Sequence, residues 1–369
     1  MKAKLLLEDG TVIEGIGFGS ECIRVGELVF TTGMVGYPEA MTDPSFKGQI
    51  LIFTHPMIGN YGVPDKNIKE YGIPIHFESD KIQVEGIVIS KLTRPNHWAS
   101  KVSLDEWMRR EGVPGIERVD TRALVRKIRE RGVMKAVIAV GDYSISEMRT
   151  MLKEWNYDSK DFVSEVSPKE TIIHEPNDWT KTVVLIDCGV KFGILRELLK
   201  RKIRVIRVPP SSNFLREIDK YEADGVVISN GPGNPEVLDY IINRVGEIIE
   251  MEIPTLGICL GNQILALADG AKVFKLKYGH RGQNKPVVDL KTKRSFVTSQ
   301  NHGYAILLET LNNFDVWMIN ADDKTVEAIL HKRAPIIATQ FHPEASPGPY
   351  DSTWIFDYFL RLMENGNGR

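Results

Sequence analysis

Short apolar runs broken by glycine, proline and aspartate open the chain, at residues 4–7, 11–13, 27–31, 49–53 and 86–90. Their length and punctuation predict strands. Helical spacing follows at 103–111, where Ser103 and Glu106 stand in capping-box register, and at 120–131, which Gly132 stops. The first part of the chain is therefore expected to mix sheet and helix. From about 166 to 182 the text turns polar and proline-bearing, as in Ser167-Pro168-Lys169-Glu170 and His174-Glu175-Pro176. Such chemistry predicts a linker. Beyond it, β-branched runs at 182–186, 205–208, 225–229 and 255–258 alternate with helical stretches at 192–201 and 235–250 and after 258. Continuous apolar strands separated by helices predict a doubly wound, mostly parallel α/β sheet covered on both faces. Residues 273–337 read as antiparallel strands. The expected organisation is an N-terminal domain over 1–148, a connector over 149–181 and an α/β domain over 182–366.

Composition narrows the function classes. The 369 residues are 42% hydrophobic and 26% charged, the proportions of a folded globular chain. With 47 basic and 49 acidic side chains the formal charge is −2, so no overall field draws in nucleic acid or an anionic membrane. The basic helical face of Arg122, Arg126 and Arg129 lacks interleaved aromatic residues and is expected to be solvated or to face a partner. No apolar run reaches the roughly 20 residues needed to span a bilayer, and the opening Leu5-Leu6-Leu7 is too short for a secretory leader. A cytoplasmic protein is expected. Three scattered cysteines, Cys22, Cys188 and Cys259, fit neither a disulfide framework nor a zinc site. There is no phosphate-binding G-x-x-x-x-G-K-[ST] loop, so ATP is not expected on this chain.

The chemistry concentrates at Gly257-Ile258-Cys259-Leu260-Gly261, where an apolar strand meets a helix. Glycines two residues to either side give the pattern of a nucleophile elbow, here presenting a thiol. A helix N-terminus favours a thiolate, and the Leu260 amide is placed to help stabilise an oxyanion. Gln340-Phe341-His342-Pro343-Glu344 supplies a proton acceptor and, two residues on, a carboxylate on the same face to orient it. Cys259, His342 and Glu344 are thus the candidate catalytic triad. A third segment, Ser229-Asn230-Gly231-Pro232-Gly233-Asn234-Pro235, brings glycine backbone to the same sheet edge, where amides can approach a ligand.

Together, S-N-G-P-G-N-P, G-I-C-L-G-N-Q, Q-N-H-G and Q-F-H-P-E resemble the class I, triad-type glutamine amidotransferase domain. The segments 31–39, 42–45, 58–62 and 119–124, with Gly279-His280-Arg281-Gly282-Gln283-Asn284 and Ser299-Gln300-Asn301-His302-Gly303-Tyr304, are similar to the carbamoyl phosphate synthetase small-subunit family over essentially the whole chain. That resemblance implies a layered β/β/α first domain that docks on a large subunit. It implies hydrolysis of L-glutamine to glutamate and ammonia through a Cys259 thioester. Glutamine contacts are implied for Ser45, Gly231, Gly233, Leu260, Gln263, Asn301, Gly303 and Tyr304, with the Gly231 and Leu260 amides forming the oxyanion hole. ATP, its metal and bicarbonate are implied for the large subunit, for carbamoyl phosphate used in arginine and pyrimidine synthesis, with no cofactor on this chain. Two positions depart from the family's habit: Asn262 where histidine is frequent, and Tyr304 where phenylalanine is common.

Cys188 also follows a strand, but without a preceding glycine it is expected to be structural. His280 and His302 are expected to organise the site or a subunit interface, and no metal is expected because no convergent ligands are evident. Two alternatives stay open at this point: a glutaminase serving another synthase, and a non-catalytic scaffold of the same fold.

Overall fold

The computed structural model describes residues 1–366 and divides into two units, Met1–Lys69 with Pro74–Lys160, and Glu70–Ile73 with Asp161 onward. In the first unit the apolar runs become β1 (Lys2–Leu7), β2 (Val12–Gly19), β3 (Ile23–Thr31), β4 (Gln49–Phe53), β5 (Gly86–Val88), β6 (Pro114–Glu117) and β7 (Met134–Val140). They close into a barrel in the order β1-β2-β6-β5-β4-β3-β7, with β7 returning to β1. The neighbours β3/β4, β4/β5 and β5/β6 are parallel and the rest antiparallel. The sheet-rich half thus takes the form of a closed barrel that leaves no exposed strand edge. Its helices are α1 (Tyr37–Thr42), α2 (Leu104–Arg110), α3 (Thr121–Arg131) and α4 (Ile145–Glu154). Ser103 caps α2 by accepting from the Glu106 amide, whereas the reciprocal capping box forms at Ser144 and Glu147, ahead of α4. Arg122, Arg126 and Arg129 lie on the exposed side of α3.

The segment 149–181 is not a free connector. Helix α4 buries Met148 and Leu152 against Leu6, Val137 and Ala139 of the barrel, which carries the first unit to residue 160. Then α5 (Val163–Val166) places Val163 in the second unit's core, and β8 (Ile172–His174) pairs antiparallel with the edge of its sheet. Polar composition here marks exposed helix faces and an edge strand whose Ile172 and Ile173 both remain exposed.

The second unit is built on β9 (Lys181–Ile186), β10 (Ile203–Val208), β11 (Gly225–Ile228), β12 (Thr255–Ile258), β13 (Val273–Asp289), β14 (Ser295–Ile306), β15 (Phe314–Asn320), β16 (Val326–His331) and β17 (Ile336–Thr339). With β8 they form one ten-stranded sheet, ordered β8-β10-β9-β11-β12-β17-β16-β15-β13-β14. The stretch from β10 to β17 is parallel, and β16, β15, β13 and β14 extend it antiparallel. The continuous apolar runs follow from burial on both faces. Val184, Ile186, Val226 and Ile228 point into one core, while Val183, Leu185 and Val227 point into the other. Helices α7 (Phe214–Lys220), α8 (Asp239–Glu250) and α9 (Leu260–Ala268) cover the first face, and α6 (Phe192–Lys200) and α10 (Trp354–Gly366) the second. Among the described residues no helix is long and apolar enough to cross a membrane.

Candidate active site

At the carboxyl ends of β9, β11, β12 and β17 four loops meet, the place where open α/β sheets carry ligands. Cys259 is the N-cap residue of α9 and adopts φ 53° and ψ −98°, an unusual conformation for a residue with a side chain. The strain falls on the cysteine and not on the flanking glycines, which are needed for room. A Cβ on Gly261 would lie 2.2 Å from the Ile228 carbonyl oxygen, and one on Gly257 would lie 2.6 Å from Leu265 Cδ1. The glycines thus let α9 start directly against β11, and the turn that this forces presents the thiol.

The proton acceptor arrives from β17. Because β12 and β17 are parallel neighbours, their ends are adjacent, and the Cys259 amide donates to the Thr339 oxygen at 2.7 Å. His342 is anchored by its own amide on the Ser299 oxygen at 2.9 Å. Its Nδ1 is 2.7 Å from Glu344 Oε1, which leaves Nε2 buried and without a hydrogen-bond partner. Burial by itself pushes the imidazole down, but the Glu344 carboxylate, with Cys259 adding to it, outweighs this and holds His342 up at about 10. Burial likewise pushes Glu344 upward, and the charges of Lys191 and His342 reverse it, leaving the carboxyl well below the usual carboxylate range. The structure brings His342 and Glu344 of the sequence-derived triad into contact, beside the strand end that leads into Cys259.

Lys191 was not foreseen from the sequence. Its ammonium is 2.7 Å from Glu344 Oε1, with both side chains buried, and its amide donates to Asn230 Oδ1 at 3.0 Å. The available signal was a lysine at the N-cap of α6, where a short polar side chain is the usual choice. Gln340 was also passed over as a separate element. Its Oε1 accepts from Gln263 Nε2 at 3.0 Å and from Asn262 Nδ2 at 3.4 Å, while its Nε2 is 3.6 Å from Cys259 Sγ. Asn262 therefore serves this buried network.

The expected glutamine contacts fall into two groups. Ser45 belongs to the first unit, in a buried 3₁₀ turn whose amide donates to Asp43 Oδ1 at 2.9 Å. The others gather in the second. Gly231 is so close to the Cys188 carbonyl and the Leu260 side chain that a Cβ would lie 2.3 and 2.7 Å from them. Gly233 needs its φ of 92°. Asn301 brings its carbonyl oxygen to 3.6 Å from Cys259 Sγ. The Tyr304 oxygen accepts from Gln263 Nε2 and bonds His302 Nδ1, each at 2.8 Å, and Gly303 lies between them on β14. Cys188 is fully buried, and burial, then Asp187 and Asp161, push its thiol well up, so it is no competing nucleophile.

Residues 5–138 match the family described as carbamoyl-phosphate synthase small chain, CPSase domain, and residues 184–362 match glutamine amidotransferase class-I. The chain is 59% identical over 363 residues to the carbamoyl phosphate synthase small chain of Pyrococcus furiosus, covering 98% of each. It is 52% identical to that of Sulfurisphaera tokodaii, over 98% of this chain and 96% of the relative. It is 46% identical to that of Methanocaldococcus jannaschii, over 99% of each. Among solved structures, a glutamine amidotransferase from Thermotoga maritima aligns over 50% of this chain and 85% of its own, with 21% identity and a TM-score of 0.38. The chain belongs to the carbamoyl phosphate synthase small-chain family, whose glutamine-hydrolysing component it is.

Proposed function

We propose that Cys259 is the nucleophile of this glutaminase, with His342 as its proton carrier and Glu344 as the group that orients the imidazole. The observation that carries the proposal is the 2.7 Å His342–Glu344 contact, which commits Nδ1 and turns the unpartnered Nε2 to the thiol's proton. Sulfur attacks the carboxamide carbon of glutamine as a thiolate, its proton already resting on His342, which stays protonated through neutrality. The negative oxygen of the tetrahedral adduct is met by the amides of Leu260 and Gly231, fixed dipoles that need little reorganisation. As the adduct collapses, His342 gives its proton to the leaving nitrogen, and ammonia departs from a γ-glutamyl thioester. Water then adds to the thioester with His342 as base, releasing glutamate and restoring the thiol. Gly233, Gln263, Asn301, Gly303 and Tyr304 hold the amino-acid substrate. No step needs a cofactor on this chain.

The ammonia passes to a carbamoyl phosphate synthetase large subunit, which holds the ATP and metal and uses bicarbonate. The nucleophile there is neutral ammonia, which water would protonate, so transfer has to be enclosed. The setting is the cytoplasm. The test is ammonia release from glutamine by the purified chain, with and without large subunit, ATP and bicarbonate. Marked stimulation with nitrogen captured in carbamoyl phosphate is the expected result. Activity indifferent to that subunit would refute the partner, and no activity in either condition would refute the triad's role.

A further inference from the structure

Next to the candidate active site, β13, β14 and β16 bring together three side chains that the glutaminase reaction does not use. His280, His302 and Glu327 are all buried, and their ligand atoms lie within 4.8 Å of one another. His280 and His302 are directly paired across β13 and β14, and their rings meet edge to face with centroids 4.9 Å apart.

We propose that His280, His302 and Glu327 form a divalent-cation site of the zinc class, with solvent completing the coordination. Two imidazoles and a carboxylate are a donor set that zinc takes readily. Each imidazole is also held from behind, as metal-bound histidines usually are. His302 Nδ1 is fixed on the Tyr304 oxygen at 2.8 Å, so Nε2 is the nitrogen left to face the cluster, and it has no hydrogen-bond partner. His280 Nε2 is 2.8 Å from Asp323 Oδ2, so Nδ1 faces inward, 3.6 Å from Glu327 Oε1 and 3.5 Å from Asn320 Nδ2, a long contact that a cation would replace. Glu327 is in turn positioned by Asn320 Nδ2 at 3.0 Å, and its second oxygen is buried and unpartnered. His302 Nε2 and a Glu327 carboxylate oxygen are thus buried polar groups left without a hydrogen bond in the one cluster. A cation between them would satisfy both at once. Arg281, which follows His280, donates to the Tyr278 oxygen at 2.7 Å and stays outside the ligand set, while the Glu327 and Asp323 carboxylates offset the charge of the ion. A tetrahedral zinc with bonds of roughly 2.0–2.2 Å needs a small inward movement of the three side chains. Its effect is structural: it pins Asn301-His302-Gly303, the stretch whose Asn301 oxygen touches Cys259.

The test uses the full chain, stripped with a chelator and titrated with zinc and, separately, cobalt(II) salts. The expected result is one equivalent of zinc retained through gel filtration, a rise in melting temperature on zinc addition, and cobalt d–d absorption from an N/O site. Glu327→Gln and His280→Ala should abolish retention. Asp323→Asn, which leaves every ligand in place, should weaken zinc affinity by about 10- to 100-fold. Absence of retained metal together with an unchanged melting temperature would mean a hydrogen-bonded His–Glu cluster only. Equal metal content in wild type and Glu327→Gln would place the metal elsewhere, and either result overturns the proposal. None of these readouts depends on glutaminase activity.

Discussion

Lys191 Nζ and Glu344 Oε1 are 2.7 Å apart, with side chains 3% and 0% exposed, so the carboxylate that orients His342 shares its charge with a buried ammonium. The ion pair keeps Glu344 ionised in a place where burial alone would neutralise it. It also ties the loop after β9 to the loop after β17. Removing one partner of a buried pair leaves the other uncompensated, at a cost of about 3–5 kcal/mol. Lys191→Met should therefore lower stability by that order.

The same variant should also change the acid side of the pH profile. A depressed carboxyl contributes stability that is present above its ordinary value of 4.5 and lost as pH falls toward its folded value. Without Lys191 the depression shrinks, so acid unfolding and the acid limb of kcat/KM should both move to higher pH. Thermal melts from pH 3 to 7 and a pH–rate profile would read this, and an unmoved acid limb would refute the role given to Lys191.

His342, held up at about 10, behaves in the opposite sense. A raised imidazole contributes stability that is full below its unfolded value of 6.5 and is lost as pH rises through about 10. Glutaminase kcat/KM should accordingly stay level through neutrality and fall on an alkaline limb near pH 10. Glu344→Gln removes the charge that lifts the imidazole, so the limb should shift down by pH units and the neutral-pH rate should drop on the order of 10²- to 10⁴-fold.

Cys259→Ala should abolish glutamine-dependent carbamoyl phosphate synthesis in the complex with the large subunit while leaving synthesis from added ammonia intact. Loss of both would contradict the division of labour. Intact protein mass after a glutamine pulse should show the thioester adduct in the parent chain and not in the variant.

Gly261→Ala tests the packing that makes the elbow. Its new Cβ would sit 2.2 Å from the backbone oxygen of Ile228, which a flexible side chain cannot relieve. Helix α9 has to retreat from β11, carrying Cys259 with it, and the melting temperature and activity should fall together. Activity near the parent level would show that the thiol's placement tolerates the shift.

Leu152→Ala addresses the boundary between the units. A residue in a free connector would tolerate the change, but Leu152 is buried on the barrel with Leu6 and Val137. A loss of about 2–5 kcal/mol is expected in denaturant unfolding.

Much of this protein was legible in its sequence because the signals are local. Runs such as Val183-Val184-Leu185-Ile186 encode a strand buried on both faces, and Gly257-Ile258-Cys259-Leu260-Gly261 encodes the strand-to-helix turn that presents a thiol. His342 and Glu344, two residues apart, meet through one stretch of backbone. What only the tertiary structure decided are relations across many residues. Lys191 and Glu344 are 153 positions apart, and nothing local in either segment calls for the other. Closure of the first unit into a barrel depends on β7 returning to β1, a pairing that composition does not announce. The polar stretch 149–181 looks like a linker because its helices bury one side only and its edge strand stays exposed, and burial is visible only when the packing partner is in place. His280, His302 and Glu327 converge for the same reason: strand register, and not sequence spacing, sets which side chains face one another across a sheet.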